Sequence, residues 1–224
     1  MTTHIKQTVY KGDSNLGIFF NITEKLALIP KDTDSKTIDV IKEILDVEIE
    51  RVEIWDSNLI GLFSAANSNG IILPKTIFPN EVKHFSSIGL NVYVLDDDHT
   101  ALGNLILAND KAAIVSPLIP KKFVKEIEDT LGVEAVQRKI ANLSYVGSLG
   151  VVTNKGLLLY RDIEEDEFNE LKEFFKVKYA DIGTANLGSP YVGSCVIANS
   201  NGVLVGEKTT PIEMERILEA LGFI

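Results

Sequence analysis

The chain has 224 residues, 45% of them hydrophobic and 24% charged, an ordinary globular balance with ample material for a core. Its formal net charge is −10, from 22 basic and 32 acidic residues, which excludes the bulk basic surface usual in nucleic-acid binding. No run of 18 apolar residues occurs, the N-terminal MTTHIKQTVYKGD lacks the apolar centre of a signal peptide, and one cysteine cannot form an internal disulfide, so a cytoplasmic protein is expected.

Residues 5–10 read as a lone strand. After them one phrase recurs five times: a glycine, a run of small and apolar residues, an Asn- or Thr-containing turn, and a second apolar run. The leading glycines are Gly17, Gly61, Gly103, Gly147 and Gly193, separated by 44, 42, 44 and 46 residues. Self-similarity at a fixed period sets the architecture before any local reading does. Two short apolar runs joined by a polar turn predict a β-hairpin, and glycine at the last turn position in three units (Gly70, Gly156, Gly202) suggests a backbone with positive φ.

Helical periodicity follows each hairpin. Ile38, Ile41, Ile44 and Leu45 share one face, as do Phe123, Ile127 and Leu131; then Phe168, Leu171, Phe174 and Phe175; then Met214, Ile217, Leu218 and Leu221. The second unit has the weakest helix, interrupted by Ser86, Ser87 and Gly89, whereas the last opens with Thr210, Pro211 and Glu213, the pattern of a capping box. A third strand closes four units, at 47–54, 90–95, 133–140 and 177–182. The fifth unit has none, and the strand at 5–10 is the missing piece. The expected fold is therefore α/β: one domain over 1–224, a ring of five ββαβ repeats closed by the N-terminal strand.

The repeats serve as their own alignment. Two residues after the glycine stand Phe19, Phe63, Leu105, Leu149 and Cys195, an inward column in which Cys195 is a small buried hydrophobe rather than a nucleophile. One residue after it, Ile18, Leu62, Asn104, Ser148 and Ser194 turn from apolar to polar halfway round the ring. Three residues before it stand Ser14, Asn58, Thr100, Ser144 and Pro190. Turn chemistry explains most of these polar residues, and a recognition rim is the sharper alternative. Asn104 is the exception, since no cap or turn needs it. Six residues after the glycine, Thr23, Asn67, Asn109, Thr153 and Asn199 are expected to make structural bonds within the hairpin turn.

Catalytic constellations fail. Asp96-Asp97-Asp98-His99 reads as a solvated acidic loop, because adjacent strand residues alternate sides and no second segment has ligand spacing. No phosphate-binding glycine loop and no nucleophile elbow is present. Lys121, Lys122 and Lys125 with Arg138 and Lys139 form the one basic concentration, the candidate for a local phosphate contact. No metal, cofactor or small-molecule substrate is expected.

Thr100-Ala101-Leu102-Gly103-Asn104, Asn109-Asp110, Val146-Gly147-Ser148, Thr153-Asn154-Lys155-Gly156 and Gly183-Thr184-Ala185-Asn186-Leu187-Gly188 resemble the translation initiation factor 6 family, in order and from Gly17 to Ile224. Ending at Ile224, the chain looks like the archaeal form. The resemblance implies the fivefold α/β ring called the pentein fold. It also implies a non-enzymatic factor that binds the large ribosomal subunit and sterically prevents small-subunit joining, with subunit maturation a further role of eukaryotic members. Implied partners are a large-subunit ribosomal protein and ribosomal RNA near the sarcin–ricin loop, bound by a monomer without a membrane. The family's contact asparagine maps onto Asn104. Asn58, Thr100, Ser144, Ser148 and Asn186 complete the expected ribosome-binding set. Leu62 stands where eukaryotic members carry a basic residue, so an ion pair there is not expected. The same fold carries guanidine-modifying hydrolases and amidinotransferases, the alternative reading, but their Cys–His pair has no counterpart around Cys195. A ring-shaped binding protein of another kind is the third reading, to be separated by whether Asn104 matters for ribosome binding.

Overall fold

The computed structural model describes residues 4–224. It contains five three-stranded sheets, one per unit, in a repeated pseudo-symmetric arrangement. In the second unit Ala65–Ala66 pairs antiparallel with Gly70–Pro74, the helix Pro79–Ser87 crosses over, and Asn91–Leu95 returns parallel to Gly70–Pro74. The other units repeat this order, with crossover helices Ser35–Leu45, Val124–Leu131, Glu165–Phe174 and Pro211–Leu221. The fifth sheet takes its third strand from the chain's beginning: Ile5–Thr8 runs parallel to Val203–Gly206 in register Ile5↔Val203. No described helix is long and apolar enough to cross a membrane.

The run after each leading glycine is not the long strand expected. Leu16–Phe19, Ile60–Phe63, Leu102–Leu105 and Val192–Cys195 each form one helical turn, and the inner strand that follows has only two or three residues. The reason lies in where the backbone bonds go. The turns close on themselves, as in the bonds from the Phe20 N–H to the Leu16 carbonyl and from the Ser64 N–H to the Ile60 carbonyl at 3.0 and 3.1 Å; in the last two units the segment also bonds sideways, the Gly147 N–H to the Asn104 carbonyl at 2.9 Å and the Gly193 N–H to the Ser148 carbonyl at 3.0 Å.

The same segments bring the leading glycines together. A Cβ on Gly61 would lie 2.1 Å from the carbonyl oxygen of Gly17, on Gly103 1.8 Å from that of Gly61, on Gly147 2.0 Å from that of Gly103, and on Gly193 2.1 Å from that of Gly147. The circuit returns to its start, for a Cβ on Gly17 would lie 2.0 Å from the Gly193 oxygen. No side chain fits there, which is why the phrase begins with glycine. The inner strands line an open cavity of about 120 Å³ to which all five units contribute residues.

Gly70, Gly156 and Gly202 do not have the positive φ expected of them; the described glycines with positive φ are Gly12, Gly89, Gly132, Gly188 and Gly222. Their reason is close approach. A Cβ on Gly70 would meet the Thr130 carbonyl oxygen at 2.3 Å, one on Gly156 the Leu221 Cα at 2.5 Å, and one on Gly202 the Ile44 carbonyl oxygen at 2.2 Å. Each is the point where a neighbouring unit's crossover helix docks.

The turn residues beside them do the bonding that the spacing suggests, and more. The Asn67 Oδ1 accepts from the N–H groups of Asn69 and Gly70 at 3.0 and 3.1 Å, while its Nδ2 donates to the carbonyl of Leu131, at the end of the third unit's helix, at 2.8 Å. Asn109 reaches the Phe175 carbonyl at 3.1 Å and Asn199 the Leu45 carbonyl at 2.7 Å in the same way. These amides satisfy helix C-terminal carbonyls that otherwise lack partners. The capping box of the last helix is present, with Thr210 Oγ1 accepting from the Glu213 N–H at 3.3 Å and Glu213 Oε2 from the Thr210 N–H at 2.8 Å.

The core is correspondingly shared between neighbours. It divides into five apolar clusters, each drawing on two adjacent units: Ile197 and Leu204 of the fifth pack with Phe20, Ile29 and Ile41 of the first, and Leu28 of the first packs with Ile60, Ile71 and Phe85 of the second. Phe19 and Phe63 of the inward column are half-buried, whereas Leu105, Leu149 and Cys195 are buried.

Candidate interaction face

The strand directions sort every unit in the same way. Hairpin turns and helix C-termini gather at one end of the molecule, the hairpin face. The turns leading into each unit gather with the helix N-termini at the other, the turn face. Four of these lead-in turns are closed by an isolated bridge: Tyr10↔Asp13, Ile54↔Ser57, Ile140↔Leu143 and Ala185↔Ser189. They hold side-chain-bearing residues in left-handed backbone, including Trp55 (φ 57°), Ala141 (φ 48°) and Leu187 (φ 64°). Such a conformation costs roughly 1–2 kcal/mol per residue. A glutamate in the first turn of the unit's own helix offsets it. Glu81 accepts from the N–H groups of Trp55 and Asp56 at 2.9 and 3.1 Å, Glu167 from that of Ala141 at 3.1 Å, and Glu213 from those of Gly188 and Leu187 at 2.7 and 3.3 Å.

In the first unit Asp32 takes this place through side chains. It accepts from the Tyr10 hydroxyl at 2.5 Å, from the Lys11 ammonium, and from the Asn58 amide at 3.2 Å. The Lys11 bond, then that from Tyr10, holds the Asp32 carboxyl below the usual range. Burial, with Asp32 beside it, pushes the Tyr10 hydroxyl up.

Of the nine exposed large hydrophobic residues among the described ones, eight lie on the turn face. Trp55, Leu143 and Leu187 project from the lead-in turns, Tyr145 and Tyr191 stand just before glycine segments, and Phe78, Leu118 and Ile212 sit at helix starts. Among the described residues the hairpin face has only Ile224. A folded chain scatters exposed apolar side chains singly, so their collection on one face marks a contact surface.

The sequence-derived site residues fall on this face with different duties. Asn104, Thr100 and Ser144 are half-buried, and their side chains make no hydrogen bond to another described residue. The bond from the Gly147 N–H to the Asn104 carbonyl sets Asn104 against the segment that follows Ser144 and Tyr145. Asn58 donates to Asp32. Ser148 is 7% exposed and its hydroxyl donates to the Tyr145 carbonyl at 2.7 Å. Asn186 (φ 50°) donates to the Ser14 carbonyl at 2.9 Å and accepts from the Thr209 hydroxyl at 3.2 Å, joining the fifth unit to the first. Asn104, Thr100 and Ser144 therefore hold free donors and acceptors, while Ser148 and Asn186 spend theirs inside the fold. Sequence reasoning missed the apolar half of the face. Its signal was an aromatic in a polar turn, as in Ser144-Tyr145 and Pro190-Tyr191.

The remaining charged clusters are engaged. Arg138 bridges Glu167 and Glu170 at 3.4 and 3.1 Å, and Lys125 bridges Glu128 and Asp129 at 2.7 and 2.9 Å, which leaves Lys121, Lys122 and Lys139 of the five basic residues. Asp97 accepts from the N–H of His99 at 3.0 Å, and Lys75 pairs with Asp98 at 2.5 Å. Glu53, Asp56 and Glu81 bring carboxylate oxygens within 4.8 Å of one another, but both oxygens of Glu81 already accept backbone N–H groups. Cys195 is 1% exposed, with its sulfur 3.6 Å from Asn15 Oδ1 and Ser189 Oγ, and burial raises its thiol pKa. A covalent nucleophile needs the reverse: exposure, a lowered pKa and a neighbouring base.

Free polar groups among exposed aromatics, on a scaffold in which Thr76 Oγ1 is the one buried side-chain polar atom left unpaired among the described residues, define an interaction protein. The comparisons agree. Residues 5–220 match the eIF-6 family, and the chain belongs to that family. It is 43% identical to a translation initiation factor 6 of Pyrococcus horikoshii over 99% of this chain and 100% of that one. It is 42% identical to those of Methanocaldococcus jannaschii (99% of this chain, 100% of the other) and Thermoplasma acidophilum (97% and 99%). These relatives are translation initiation factors, not enzymes.

Proposed function

We propose that the chain is a translation initiation factor that binds the large ribosomal subunit through its turn face and thereby prevents small-subunit joining. In this reading the five units form a single pentein domain that acts as a cytoplasmic monomer. The observation that carries the choice of face is the collection of eight exposed apolar side chains around the free polar groups of Thr100, Asn104 and Ser144. Rigid aromatics in a polar setting are the usual anchors of a protein interface. With a net charge of −10, the main footing is a basic ribosomal protein, with RNA near the sarcin–ricin loop a secondary contact. The mechanism is steric. Bound factor covers surface that the small subunit needs, so joining is disfavoured in proportion to occupancy.

Co-sedimentation with isolated archaeal large subunits, small subunits and joined ribosomes tests this. Saturable binding to large subunits alone is expected. Asn104→Arg and Tyr145→Asp are each expected to weaken it at least tenfold with unchanged thermal unfolding, since both side chains leave the core. Binding to none of the particles overturns the function, and full binding by both folded variants overturns the face.

A further inference from the structure

One sector of the hairpin face is basic. Four lysines, Lys111, Lys155, Lys176 and Lys178, gather around the end of the fourth unit's helix. Their closeness is fixed by bonds. The Lys111 ammonium donates to the carbonyls of Asn154 and Lys176 at 2.7 and 2.9 Å, and the N–H of Lys178 donates to the Lys155 carbonyl at 3.2 Å. None of the four forms an ion pair with a described carboxylate, although eight other basic side chains do. The carboxylates on the axial side are already committed. Glu24 accepts from the N–H groups of Asn154 and Ser200, and Asp110 from the N–H and hydroxyl of Ser68. Only Glu173 borders the lysines as an exposed acid on the same helix.

Aromatic rings are interleaved with the charges. The Lys178 ammonium lies 4.9 Å from the Tyr179 ring centre and that of Lys155 4.4 Å from the Phe223 ring centre. The bond from Lys178, then the charges of Lys178 and Lys155, lowers the Tyr179 hydroxyl pKa.

Lys176 shows that a charge is kept here at some cost. It is the left-handed residue just past the helix, with φ 54°, a place that Gly89, Gly132 and Gly222 take in three other units and Asp46 (φ 48°) in the first. Glycine is the unstrained choice at that position. A cation at a helix C-terminus gains from the dipole, which explains one lysine but not four.

We infer that this lysine–aromatic patch on the hairpin face is a second contact surface whose partner is a single-stranded or looped RNA segment. Lysines without acidic partners offer sites for successive phosphates, and the Tyr179 ring beside them suits a base rather than the carboxylates of an acidic peptide, the Phe223 ring being already stacked on His4. The surface lies at the opposite end of the molecule from the proposed large-subunit contact and does not depend on it. A factor seated by its turn face would present these lysines outward.

The test is fluorescence anisotropy of a labelled mixed-sequence single-stranded RNA of about 16 nucleotides. If four phosphates are neutralised, the slope of log K against log salt is about −2.8, a loss of roughly 50-fold between about 50 and 200 mM salt. The triple variant Lys155→Glu/Lys176→Glu/Lys178→Glu is expected to lose at least tenfold in affinity. A variant with the same net charge on the other face, Lys121→Glu/Lys122→Glu/Lys139→Glu, is expected to bind RNA within about twofold of the parent. Should the triple variant fold poorly, Lys155→Gln/Lys178→Gln is expected to reduce the slope to about half. Three results would overturn the inference: no RNA binding at 50 mM salt, equal losses in both charge-reversed variants, or displacement of RNA by polyglutamate as effectively as by unlabelled RNA. Large-subunit co-sedimentation of the Lys155 variants separates the two surfaces, since it is expected to be unchanged.

Discussion

Gly103→Ala is the most demanding test of the glycine circuit. The added methyl would lie 1.8 Å from the Gly61 carbonyl oxygen, where ordinary contact begins at 3.4 Å, so the two backbones would have to part by about 1.6 Å. Overpacked side chains usually find relief at a cost of about 1–3 kcal/mol. Here the obstacle is backbone, and it cannot retreat: Gly61 is itself held against Gly17, and Gly103 against Gly147, at 2.0–2.1 Å measured the same way. The displacement also pulls on the bond from the Gly147 N–H to the Asn104 carbonyl. A cost of about 4 kcal/mol follows, in the range reserved for gross steric or network damage. For a chain of this size that is a fall of about 8–16 °C in Tm by circular dichroism. Gly12→Ala is the control. Gly12 has φ 84° with nothing within 4 Å of its Cβ position, so it carries only the backbone strain, about 1 kcal/mol and 2–4 °C. If Gly103→Ala is no less stable than Gly12→Ala, the close approach of the units is wrong, and with it the reason for the repeated glycine.

Burial raises the Glu213 carboxyl, but bonds from the backbone of Thr210 and Gly188 and from the hydroxyls of Thr184 and Thr210 more than offset it and hold its pKa below the ordinary value. A folded pKa below the unfolded value of about 4.3 means stability that is present above that pH and lost as pH falls through the folded pKa. Glu213→Gln is therefore expected to cost about 1–2 kcal/mol in urea unfolding at pH 7, with the gap to the parent closing below about pH 4; a gap independent of pH refutes the ionised cap. Cys195→Ala is expected to cost about 1–2 kcal/mol and to leave large-subunit binding intact, because the sulfur is buried and its polar contacts, to Asn15 and Ser189 at 3.6 Å, are long and internal. The native thiol is expected to react with a thiol reagent no faster than the protein opens, and rapid stoichiometric labelling would show that it is accessible.

The repeat could be read directly because each copy must solve the same local problem. Two short apolar runs flanking Asn67 or Asn199, followed by a 3.6-residue periodicity such as Ile217, Leu218 and Leu221, define strand, turn and helix within about 45 residues. The missing third strand of the last unit pointed to residues 5–10 by subtraction, and the observed strand Ile5–Thr8 takes that place. The in-turn bonds of Asn67, Asn109 and Asn199 were legible for the same reason, since each amide accepts from residues two and three positions ahead.

What escaped depends on atoms from other units. Alternation cannot reveal that residues 60–63 curl into a helical turn, held by bonds from the Phe63 and Ser64 N–H groups to the Leu59 and Ile60 carbonyls, because the close approach at Gly61 that shapes the segment comes from a neighbouring unit. A glycine needed for close approach looks in sequence like one needed for positive φ; Gly70 and Gly89 are told apart only by the Thr130 carbonyl that faces the first. Within the candidate site, Asn104 stood out because its column had no local use for an amide. The free state of Thr100 and the internal bonding of Asn186, by contrast, are set by residues such as Ser14 and Thr209 far along the chain. The sequence by itself determined the number of units, their internal order and the strand that completes the last one, because those rest on short-range periodicity and counting. Only the tertiary structure decided which polar side chains remain free and that Trp55, Tyr145, Leu187 and Tyr191 share one face, because exposure is a property of how five units pack and not of any one of them.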